Sequence, residues 1–284
     1  MIVYFNGRFI PKEEVRISPD DRGFLFSDGV YEVIHSYRGK LFRMADHQQR
    51  LERSLREIRI HFPDPEKIGP MAESLIQSNH LENEEAIVYI QVTRGAAPRC
   101  HIFPDEGTVP TVYAAASAMH FPEEKMEKGV KVILAPDLRW ARCDIKSVGL
   151  LPNVLASQQA KEQGAEEAIL VRDSYITEGS RTNFCAVFAG VLVTHPLNQY
   201  ILPGVTRGIV LDLCRELQIP VKESSVEAKN LPKASEMFIS STNSEIMPVV
   251  QVDDWKVGNG KAGPTTRKLQ QAYRDFVASD LNSR

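Results

Sequence analysis

Apolar and polar residues alternate along the first part of the chain in a pattern that predicts two β-hairpins. Asn6-Gly7 lies between two short apolar runs, and this dipeptide is a strong signal for a two-residue hairpin turn. The segment 30–44 also alternates and changes direction at Arg38-Gly39. Further strands are predicted where apolar runs lie between turn-forming residues, over 86–95, 111–118, 130–136, 167–172, 183–188, 190–195, 236–241 and 249–257.

Apolar residues at helical spacing predict helices between these strands. Leu51, Leu55 and Ile58 lie on one face of the segment 45–60, whose other face is charged. The same reasoning, together with the glycine and proline residues that begin or end such segments, locates the other helices. The helices are predicted over 45–60, 71–79, 153–163, 206–217 and 264–281.

The periodic pattern breaks down over residues 119–129, "MHFPEEKMEKG", where polar residues surround Pro122. A chain of 284 residues exceeds what one hydrophobic core usually supports. We therefore predict an N-terminal domain over 1–119 and a C-terminal domain over 120–284. Because strands and helices mix without regular β-α-β alternation, the predicted fold class is α+β.

Composition and charge exclude several classes of protein. The formal net charge is −3 and neither sign is clustered, so the sequence offers no electrostatic footprint for nucleic acid or an anionic membrane. The longest apolar run is shorter than the ~20 residues that span a bilayer, and the N-terminus lacks the pattern of a signal peptide. The cysteines form no CxxC pair and the histidines no HxxxH motif, so we expect reduced thiols, a cytoplasmic protein and no metal site. Phosphate-loop, GxGxxG, GxSxG and HExxH motifs are also absent from the sequence.

Two ionisable residues have surroundings that allow either an ordinary or a catalytic role. Lys146 is followed by "SVGLL", and burial in apolar surroundings favours the neutral, nucleophilic form of an amine. Glu178 precedes Gly179 in "YITEGSRTN", before the predicted strand 183–188. It is either a solvated carboxylate in a turn or an acid that holds a heteroaromatic nitrogen in its protonated form. The local sequence leaves both alternatives open for each residue.

Two further segments carry donors that suit an anion. In "LPGVTRG", Gly204 precedes a predicted helix that Thr206 is expected to cap, and the N–H groups at a helix N-terminus bind phosphate well. In "FISSTNSEI", residues 240–244 carry hydroxyl or amide side chains directly after a predicted strand. Ordinary helix starts and loops share these features, so both interpretations stay open.

Arg99 and His101 lie two residues apart in "RGAAPRCHIF". In an extended segment, residues at this spacing project to the same side. A guanidinium beside an imidazole suits the capture of a carboxylate, although a solvated loop is the alternative.

Taken together, these segments resemble the fold-type-IV pyridoxal-phosphate enzymes, and among them the D-amino acid aminotransferases. The resemblance runs almost from end to end of the chain. The segments that carry it are "DRGFLFSDGVYEVI", "HQQRL", "QVTRGAAPRCHIFP", "RWARCDIKSVGLL", "NVLASQQAKEQGAEEAIL", "TEGSRTN", "THPLNQYILPGVTR" and "SSTNSEIMPV". It implies two α+β domains with pyridoxal 5′-phosphate at their interface, assembled as a homodimer. It also implies transamination between a D-amino acid, with D-alanine expected, and a keto acid, with 2-oxoglutarate expected, to give pyruvate and D-glutamate.

The resemblance implies a role for each candidate residue. Lys146 matches the lysine that bonds to the cofactor and moves the proton between the substrate Cα and the cofactor C4′, and Glu178 matches the acid at the pyridine nitrogen. Tyr31, Arg99 and His101 match the residues that hold the substrate α-carboxylate, the last two reaching in from the partner subunit in the D-specific relatives. The residues that match positions holding the cofactor phosphate are Arg50, Val205, Thr206, Ser241 and Thr242.

Other roles stay open within the resemblance. Branched-chain L-aminotransferases share the lysine and the glutamate, but they usually carry a tyrosine about where Leu151 lies, and they lack the Arg-x-His pair. An aminodeoxychorismate lyase is a more distant alternative. A third is a non-catalytic scaffold, against which the presence of both Lys146 and Glu178 argues. Arg181 lies where the D-specific relatives usually have small hydroxyl residues, which leaves the substrate preference open.

Overall fold

The computed structural model describes residues 1–282 and divides the chain into two compact units. Unit 1 contains Met1–His120 and Ile145–Gly149, and unit 2 contains Phe121–Asp144 and the chain from Leu150 onward. The first division falls one residue from the boundary drawn from the sequence. The segment around Lys146, which the sequence-based boundary assigned to the C-terminal domain, belongs instead to unit 1.

Unit 1 is built on a six-stranded antiparallel sheet. Its strands are β1 (Ile2–Phe5), β2 (Arg8–Pro11), β3 (Gly29–Tyr37), β4 (Lys40–Leu41), β5 (Glu85–Thr93) and β6 (Thr111–Ala118). They lie in the order β2-β1-β6-β5-β3-β4. Both predicted hairpins are confirmed, because Asn6-Gly7 and Arg38-Gly39 join antiparallel strands and adopt the positive φ angles that such two-residue turns require.

The α-helices of unit 1 are α1 (Arg22–Phe26), α2 (Met44–Glu57) and α3 (Ile68–Ser78). Helices α2 and α3 pack on the sheet through Leu51, Leu55 and Leu75, which meet alternate strand residues such as Ile34 and Val88 in one core. Both helices were predicted from their periodicity. Helix α1 was not, because five residues carry too little periodic pattern to be recognised.

The first half of β3 has an open edge, because β4 pairs only with the last two residues of β3. The segment Ile145–Gly149 covers this edge. Val30 and Ser147 form an antiparallel bridge, and the side chain of Ile145 is buried in the core of unit 1. This edge pairing and burial are the physical reason why the segment belongs to unit 1 rather than to the C-terminal half of the chain.

Unit 2, within the described chain, is built on a ten-stranded mixed sheet. Its strands are β7 (Val130–Pro136), β8 (Glu167–Arg172), β9 (Tyr175–Gly179), β10 (Asn183–Phe188), β11 (Val191–Thr194), β12 (Val221–Glu223), β13 (Val226–Glu227), β14 (Glu236–Ser241), β15 (Glu245–Val252) and β16 (Trp255–Lys256). They lie in the order β12-β11-β10-β14-β15-β7-β8-β9-β13, with β16 paired to β15. The pairs β11–β12, β15–β7 and β7–β8 are parallel, and the remaining pairs are antiparallel.

The α-helices of the described part of unit 2 are α4 (Glu123–Lys128), α5 (Leu151–Glu162), α6 (Val205–Glu216) and α7 (Pro264–Asn282). Helix α5 covers one face of β7 and β8 through Ala156 and Ala160. Helices α6 and α7 pack against each other and against β14. The prediction of one strand over 249–257 is wrong, because Asp253 adopts a φ of +46° and turns the chain back from β15 into β16.

The structure corrects one prediction close to the candidate site and excludes an alternative that the sequence left open. Thr206 does not cap α6: the helix begins one residue earlier, with Gly204 as its N-cap residue and no side-chain cap. Glu178 lies within β9 and not in a turn, because the strand continues to Gly179. Both points concern short polar segments, in which turn-forming residues hide the end of a strand or the start of a helix.

The antiparallel sheet of unit 1 and the mixed sheet of unit 2, each with its own helices, confirm the predicted α+β class. Among residues 1–282, no helix is both long and apolar enough to cross a bilayer.

Candidate active site

Lys146 has a defined position beside Tyr31 in unit 1. The backbone N–H of Tyr31 donates to the carbonyl of Lys146 at 3.0 Å, and the N–H of Lys146 lies 3.3 Å from the acceptor Oγ of Ser54. The amine Nζ lies 4.2 Å from the centroid of the Tyr31 ring, a distance typical of a cation–π contact. Lys146 is half-buried, and its amine faces the Tyr31 ring.

A buried ion cluster lies on the same face of α2 as Ser54, the residue that contacts the backbone of Lys146. Nε and Nη2 of Arg50 donate to the two carboxylate oxygens of Glu32 at 2.7 and 2.8 Å, and Nδ1 of His47 lies 2.9 Å from the same carboxylate. Burial alone would raise the pKa of Glu32, but the Arg50 guanidinium outweighs it and holds that pKa well below its ordinary value. Ser54 follows Arg50 by four residues, so the cluster and the backbone of Lys146 meet the same side of the helix.

Glu178 is buried in unit 2, and hydrogen-bond donors hold both of its carboxylate oxygens. Oε1 accepts from Nη1 of Arg139 at 2.5 Å. Oε2 accepts from Nδ2 of Asn183 at 2.8 Å and from the N–H of Leu202 at 3.0 Å. Asp137 in turn accepts from Nε and Nη2 of Arg139, each at 2.9 Å. The carboxylate of Glu178 therefore has one fixed orientation.

Burial raises the pKa of Glu178 to about 7, although Arg139 and the N–H of Leu202 stabilise its ionised form. An acid with this pKa is well matched to share a proton with a base of similar affinity, such as a heteroaromatic nitrogen. Burial would also raise the pKa of Asp137, but its hydrogen bonds to Arg139 and Arg172 hold that pKa well below the ordinary value. The cluster thus contains one firmly ionised carboxylate and one that titrates near neutrality.

The N-terminus of α6 lies against Glu178's partner Asn183. A Cβ atom built on Gly204 would lie 2.0 Å from Oδ1 of Asn183, so a glycine is required for this close approach. Helix geometry leaves the first N–H groups of α6, including those of Val205 and Thr206, without partners within the helix, and no side chain caps them among the described residues. This is the arrangement in which a helix start binds an anion.

The hydroxyl-rich loop after β14 begins beside the same helix start, because Asn183 pairs with Ser240 across β10 and β14. Ser241 Oγ lies 2.7 Å from Oγ of Ser244, and Thr242 follows as a half-buried residue. Ser240 Oγ is buried and has no hydrogen-bond partner within residues 1–282. Free helix N–H groups and hydroxyl donors at one place in unit 2 fit a phosphate monoester.

Arg99 and His101 lie on one side of the exposed loop between β5 and β6. The guanidinium carbon of Arg99 lies 5.2 Å from the centroid of the Phe26 ring, and the ring of His101 lies 5.4 Å from the same centroid. Within the described chain, neither residue forms a hydrogen bond, ion pair or ring contact with Lys146 or Tyr31. The structure therefore brings the two residues to one aromatic ring but not to the lysine of the same chain.

Arg181 is held at the start of β8. Its Nη2 donates to the carbonyl of Glu166 at 2.9 Å, and its guanidinium lies 3.7 Å from the carboxylate of Glu166 and 3.5 Å from that of Glu167. The contact with Glu167 is an ion pair and is too long to count as a hydrogen bond to that buried carboxylate. These acidic partners neutralise the positive charge of Arg181.

Sequence reasoning missed Glu32, Arg139 and Asn183. Glu32 had a recognisable signal, because it occupies the buried face of β3 between Val30 and Ile34, and a charge on an apolar face needs a partner. Arg139 and Asn183 had none, because both bind Glu178 from positions that only the folded sheet brings near.

Comparisons with known proteins agree with this architecture. Residues 29–252 match the family described as Amino-transferase class IV. A D-alanine aminotransferase of Staphylococcus haemolyticus is 40% identical over 278 residues, which cover 98% of each chain. The crystal structure of the Escherichia coli branched-chain amino acid aminotransferase superimposes with a TM-score of 0.87 at 28% identity, and covers 96% of this chain and 93% of its own.

The crystal structure of a branched-chain aminotransferase from the archaeon Thermoproteus uzoniensis, solved with norvaline, gives a TM-score of 0.86 at 27% identity, with 96% and 93% of the two chains covered. The family match and the full-length relative together confirm the predicted fold-type-IV architecture. The chain belongs to the class IV aminotransferases.

Proposed function

We propose that the chain is a D-amino acid aminotransferase that uses pyridoxal 5′-phosphate and transfers the amino group of D-alanine to 2-oxoglutarate, giving pyruvate and D-glutamate. The relative from S. haemolyticus, which is named a D-alanine aminotransferase, supports the activity through 40% identity over nearly the whole chain. The observation that carries the D-specific assignment is the Arg99–His101 pair, which matches the D-specific relatives and whose two side chains lie against the same Phe26 ring.

The groups in each unit fit the proposed cofactor. In unit 2, the N–H groups of Val205 and Thr206 and the hydroxyl groups of Ser241 and Thr242 would hold the phosphate, and the buried Ser240 Oγ without a partner supports an anion there. Arg50 is the further phosphate-binding residue that we propose, although its Nε and Nη2 donate to Glu32. The cofactor supplies an electron sink that makes the Cα–H of a bound amino acid acidic.

Two residues of this chain would handle protons. Lys146 would carry the cofactor covalently and, once the substrate releases it, would accept and return a proton at Nζ, because it is already in place beside the Tyr31 ring. Glu178 would hold a proton at the ring nitrogen. Its carboxylate is fixed by donors from Arg139, Asn183 and Leu202, which favour the ionised form, and an ionised carboxylate at the ring nitrogen keeps that nitrogen protonated.

The substrate α-carboxylate would be bound by Tyr31, Arg99 and His101. Because Arg99 and His101 do not meet Lys146 within one described chain, we propose that they serve the site of the partner subunit in a homodimer. A guanidinium, an imidazole and a phenol hydroxyl offer charge-assisted hydrogen bonds to a carboxylate. We also propose a cytoplasmic location, which the four unpaired cysteine thiols support.

A branched-chain L-aminotransferase is the second candidate, because the solved structures described above carry the branched-chain name and superimpose closely. The Arg99–His101 pair weighs against it. The two candidates differ in the enantiomer of the donor, which makes them easy to separate.

The test compares D-alanine with L-leucine as donors, each paired with 2-oxoglutarate, in protein loaded with pyridoxal phosphate. L-alanine and D-leucine are the matched controls, because they separate the effect of chirality from that of side-chain size. We expect turnover with the D-enantiomers and with D-alanine above all. Turnover confined to L-leucine would establish the second candidate instead.

A further inference from the structure

Arg22, on the short helix α1, binds the backbone of the loop that carries Arg99 and His101. Its side chain is buried, with 3% of the residue exposed. Nη1 of Arg22 donates to the carbonyl of Cys100 at 2.6 Å and lies 3.4 Å from the carbonyl of Ile102. These two carbonyls flank His101, and that of Cys100 lies between the two proposed carboxylate-binding residues.

Neutralising the carboxylate of Asp28 does not explain Arg22. Asp28 accepts from Nε of Arg22 at 2.8 Å, but Arg94 already binds both oxygens of Asp28, with Nε at 2.7 Å and Nη2 at 2.9 Å. Arg94 alone therefore matches the charge of Asp28 in a bidentate pair. The Arg22 guanidinium is a second cation at this place, and its Nη1 is directed at the loop carbonyls.

The same helix also supports the two side chains of the loop. The Phe26 ring centroid lies 4.8 Å from the guanidinium carbon of Arg22, 5.2 Å from that of Arg99 and 5.4 Å from the His101 ring. Arg22 fixes the backbone on either side of His101, while Phe26 gives Arg99 and His101 a shared aromatic face. A long arginine side chain loses less rotamer freedom on binding a ligand when its position is already restricted.

Helix α1 is itself anchored to the end of β5. The carboxylate of Asp21 accepts from the N–H of Gly23 at 2.8 Å and from Oγ1 of Thr93 at 2.9 Å, and the N–H of Arg22 donates to the carbonyl of Gly95 at 2.9 Å. Asp21 is buried, which makes these bonds difficult to exchange for water. The anchor of the loop is therefore bonded directly to the end of a strand of the sheet.

We propose that Arg22 is a positioning residue that presents Arg99 and His101 to the substrate α-carboxylate. The inference rests on the proposed function, because it assumes that these two residues bind the substrate. Arg22 acts through the carbonyls of Cys100 and Ile102 and does not touch the substrate itself. Losing it should weaken substrate capture while leaving the proton-transfer groups unchanged.

The test uses the holoenzyme with Arg22→Met and Arg22→Lys. The lysine variant keeps a cation beside Asp28. It lacks the planar guanidinium, whose separate N–H groups donate to Asp28 and to the loop carbonyls at the same time. We expect the KM for D-alanine and 2-oxoglutarate to rise about 10-fold in Arg22→Met, with kcat changed less than about 3-fold. Tryptic cleavage after Arg99, measured without substrate, should accelerate in both variants, because the loop backbone loses its anchor. If Arg22→Met does not fold, the KM and kcat values of Arg22→Lys provide the test instead.

Arg59→Met is the matched control. Its guanidinium lies 5.2 Å from the ring of Phe103, which follows Ile102 in the same loop, so its loss removes a cation from the loop without removing a bond to the carbonyls of Cys100 or Ile102. We expect its KM values and its rate of tryptic cleavage after Arg99 to match those of the wild type.

A double-mutant cycle with Arg99→Met separates positioning from general stability. If Arg22 acts through Arg99, adding Arg22→Met to Arg99→Met should raise KM little further, whereas independent effects would multiply. A raised KM in Arg99→Met beside an unchanged KM in Arg22→Met, or fully multiplicative effects, would overturn this proposal alone. An unchanged KM in Arg99→Met would overturn the carboxylate-binding assignment as well, and absent D-alanine turnover in the wild type would overturn the proposed function.

Discussion

Arg139 is one of the three donors that orient Glu178, and the only charged one among them. It donates to Glu178 and to Asp137, and it is itself buried. Burial alone would lower the pKa of Arg139, but the two acids raise it above its ordinary value. A buried cation shared by two carboxylates is difficult to remove, because its loss leaves charges without a partner in a region of low dielectric constant.

We predict that Arg139→Met lowers the free energy of unfolding by about 3 kcal/mol at pH 8, which is the range for breaking a buried ion pair. The deficit should shrink at pH 5.5. Without the guanidinium, burial raises the pKa of Asp137 and of Glu178, so both carboxyls take up protons more readily in the folded variant as the pH falls. Urea unfolding of the wild type and of Arg139→Met at the two pH values measures the difference in the free energy of unfolding.

Arg181→Met is the control for this prediction. Its guanidinium is also paired with glutamates but is 57% exposed, and exposed pairs contribute about 0–1 kcal/mol. A deficit in Arg139→Met that is equally small, or one that grows as the pH falls, would show that Arg139 is not the counter-charge of the cluster.

The start of α6 links the proposed phosphate site to Glu178 at the level of an element. Gly204 has a φ of −67°, which any residue adopts, so the need for glycine comes from space and not from backbone conformation. The space that a Cβ atom would need is occupied by Oδ1 of Asn183. Nδ2 of the same residue donates to Glu178 and to the carbonyl of Leu202. A side chain at position 204 must therefore displace a residue that holds the acid in place.

We predict that Gly204→Ala raises the dissociation constant for pyridoxal phosphate about 10-fold, because the clash with Asn183 moves the helix start and loosens Glu178. Absorbance titration of cofactor-free protein measures the constant. Gly208→Ala, one turn further along the same helix, is the matched control. Its Cβ would meet nothing within 4 Å, so we expect unchanged cofactor affinity and a helix more stable by up to about 1 kcal/mol. Equal affinity in the two variants would contradict the assignment of this helix start.

The elements near the site differed in how far the sequence could predict them. Helix α2 was predicted almost in full, because Leu51 and Leu55 keep its core-facing period. The start of α6 was placed one residue late, because Thr206 is a common N-cap residue and only the fold shows that Gly204 takes that position. The place of Lys146 in unit 1 depends on an open strand edge, and pairing between residues 30 and 147 leaves no local trace in the sequence.

Residue roles were harder to predict than elements. Lys146, Glu178 and Arg99 each had an ordinary alternative that local sequence could not exclude, and only the order of many segments along the chain pointed to one family. Arg139 and Asn183, which hold Glu178, were invisible because hydrogen bonds between distant strands and loops have no spacing rule. Arg22 was part of a quoted segment but had no predicted role.

At the scale of the whole molecule, the proposed homodimer predicts that two inactive variants restore activity when they are mixed, which monomers could not do. Lys146→Ala subunits would lack the lysine but still offer Arg99 to a partner, and Arg99→Met subunits would do the reverse. A mixed dimer would therefore contain one complete site. Random reassortment of equal amounts should recover about a quarter of the wild-type rate at low D-alanine, because half of the dimers are mixed and each has one complete site of two.

Size-exclusion chromatography of the wild type should give a mass of twice 31.9 kDa. If the mixture of Lys146→Ala and Arg99→Met recovers no activity although each variant dimerises, Arg99 does not serve the partner's site. The two variants kept apart supply the baseline.

The most direct test of the central claim is the transamination rate of Lys146→Ala with D-alanine and 2-oxoglutarate in excess pyridoxal phosphate. The substitution removes the amine that we propose to carry the cofactor and move the proton, and it leaves the backbone hydrogen bonds to Tyr31 and Ser54 in place. We predict a correctly folded protein whose rate falls by a factor of at least about 10³. A Lys146→Ala protein that keeps the wild-type rate would contradict the account.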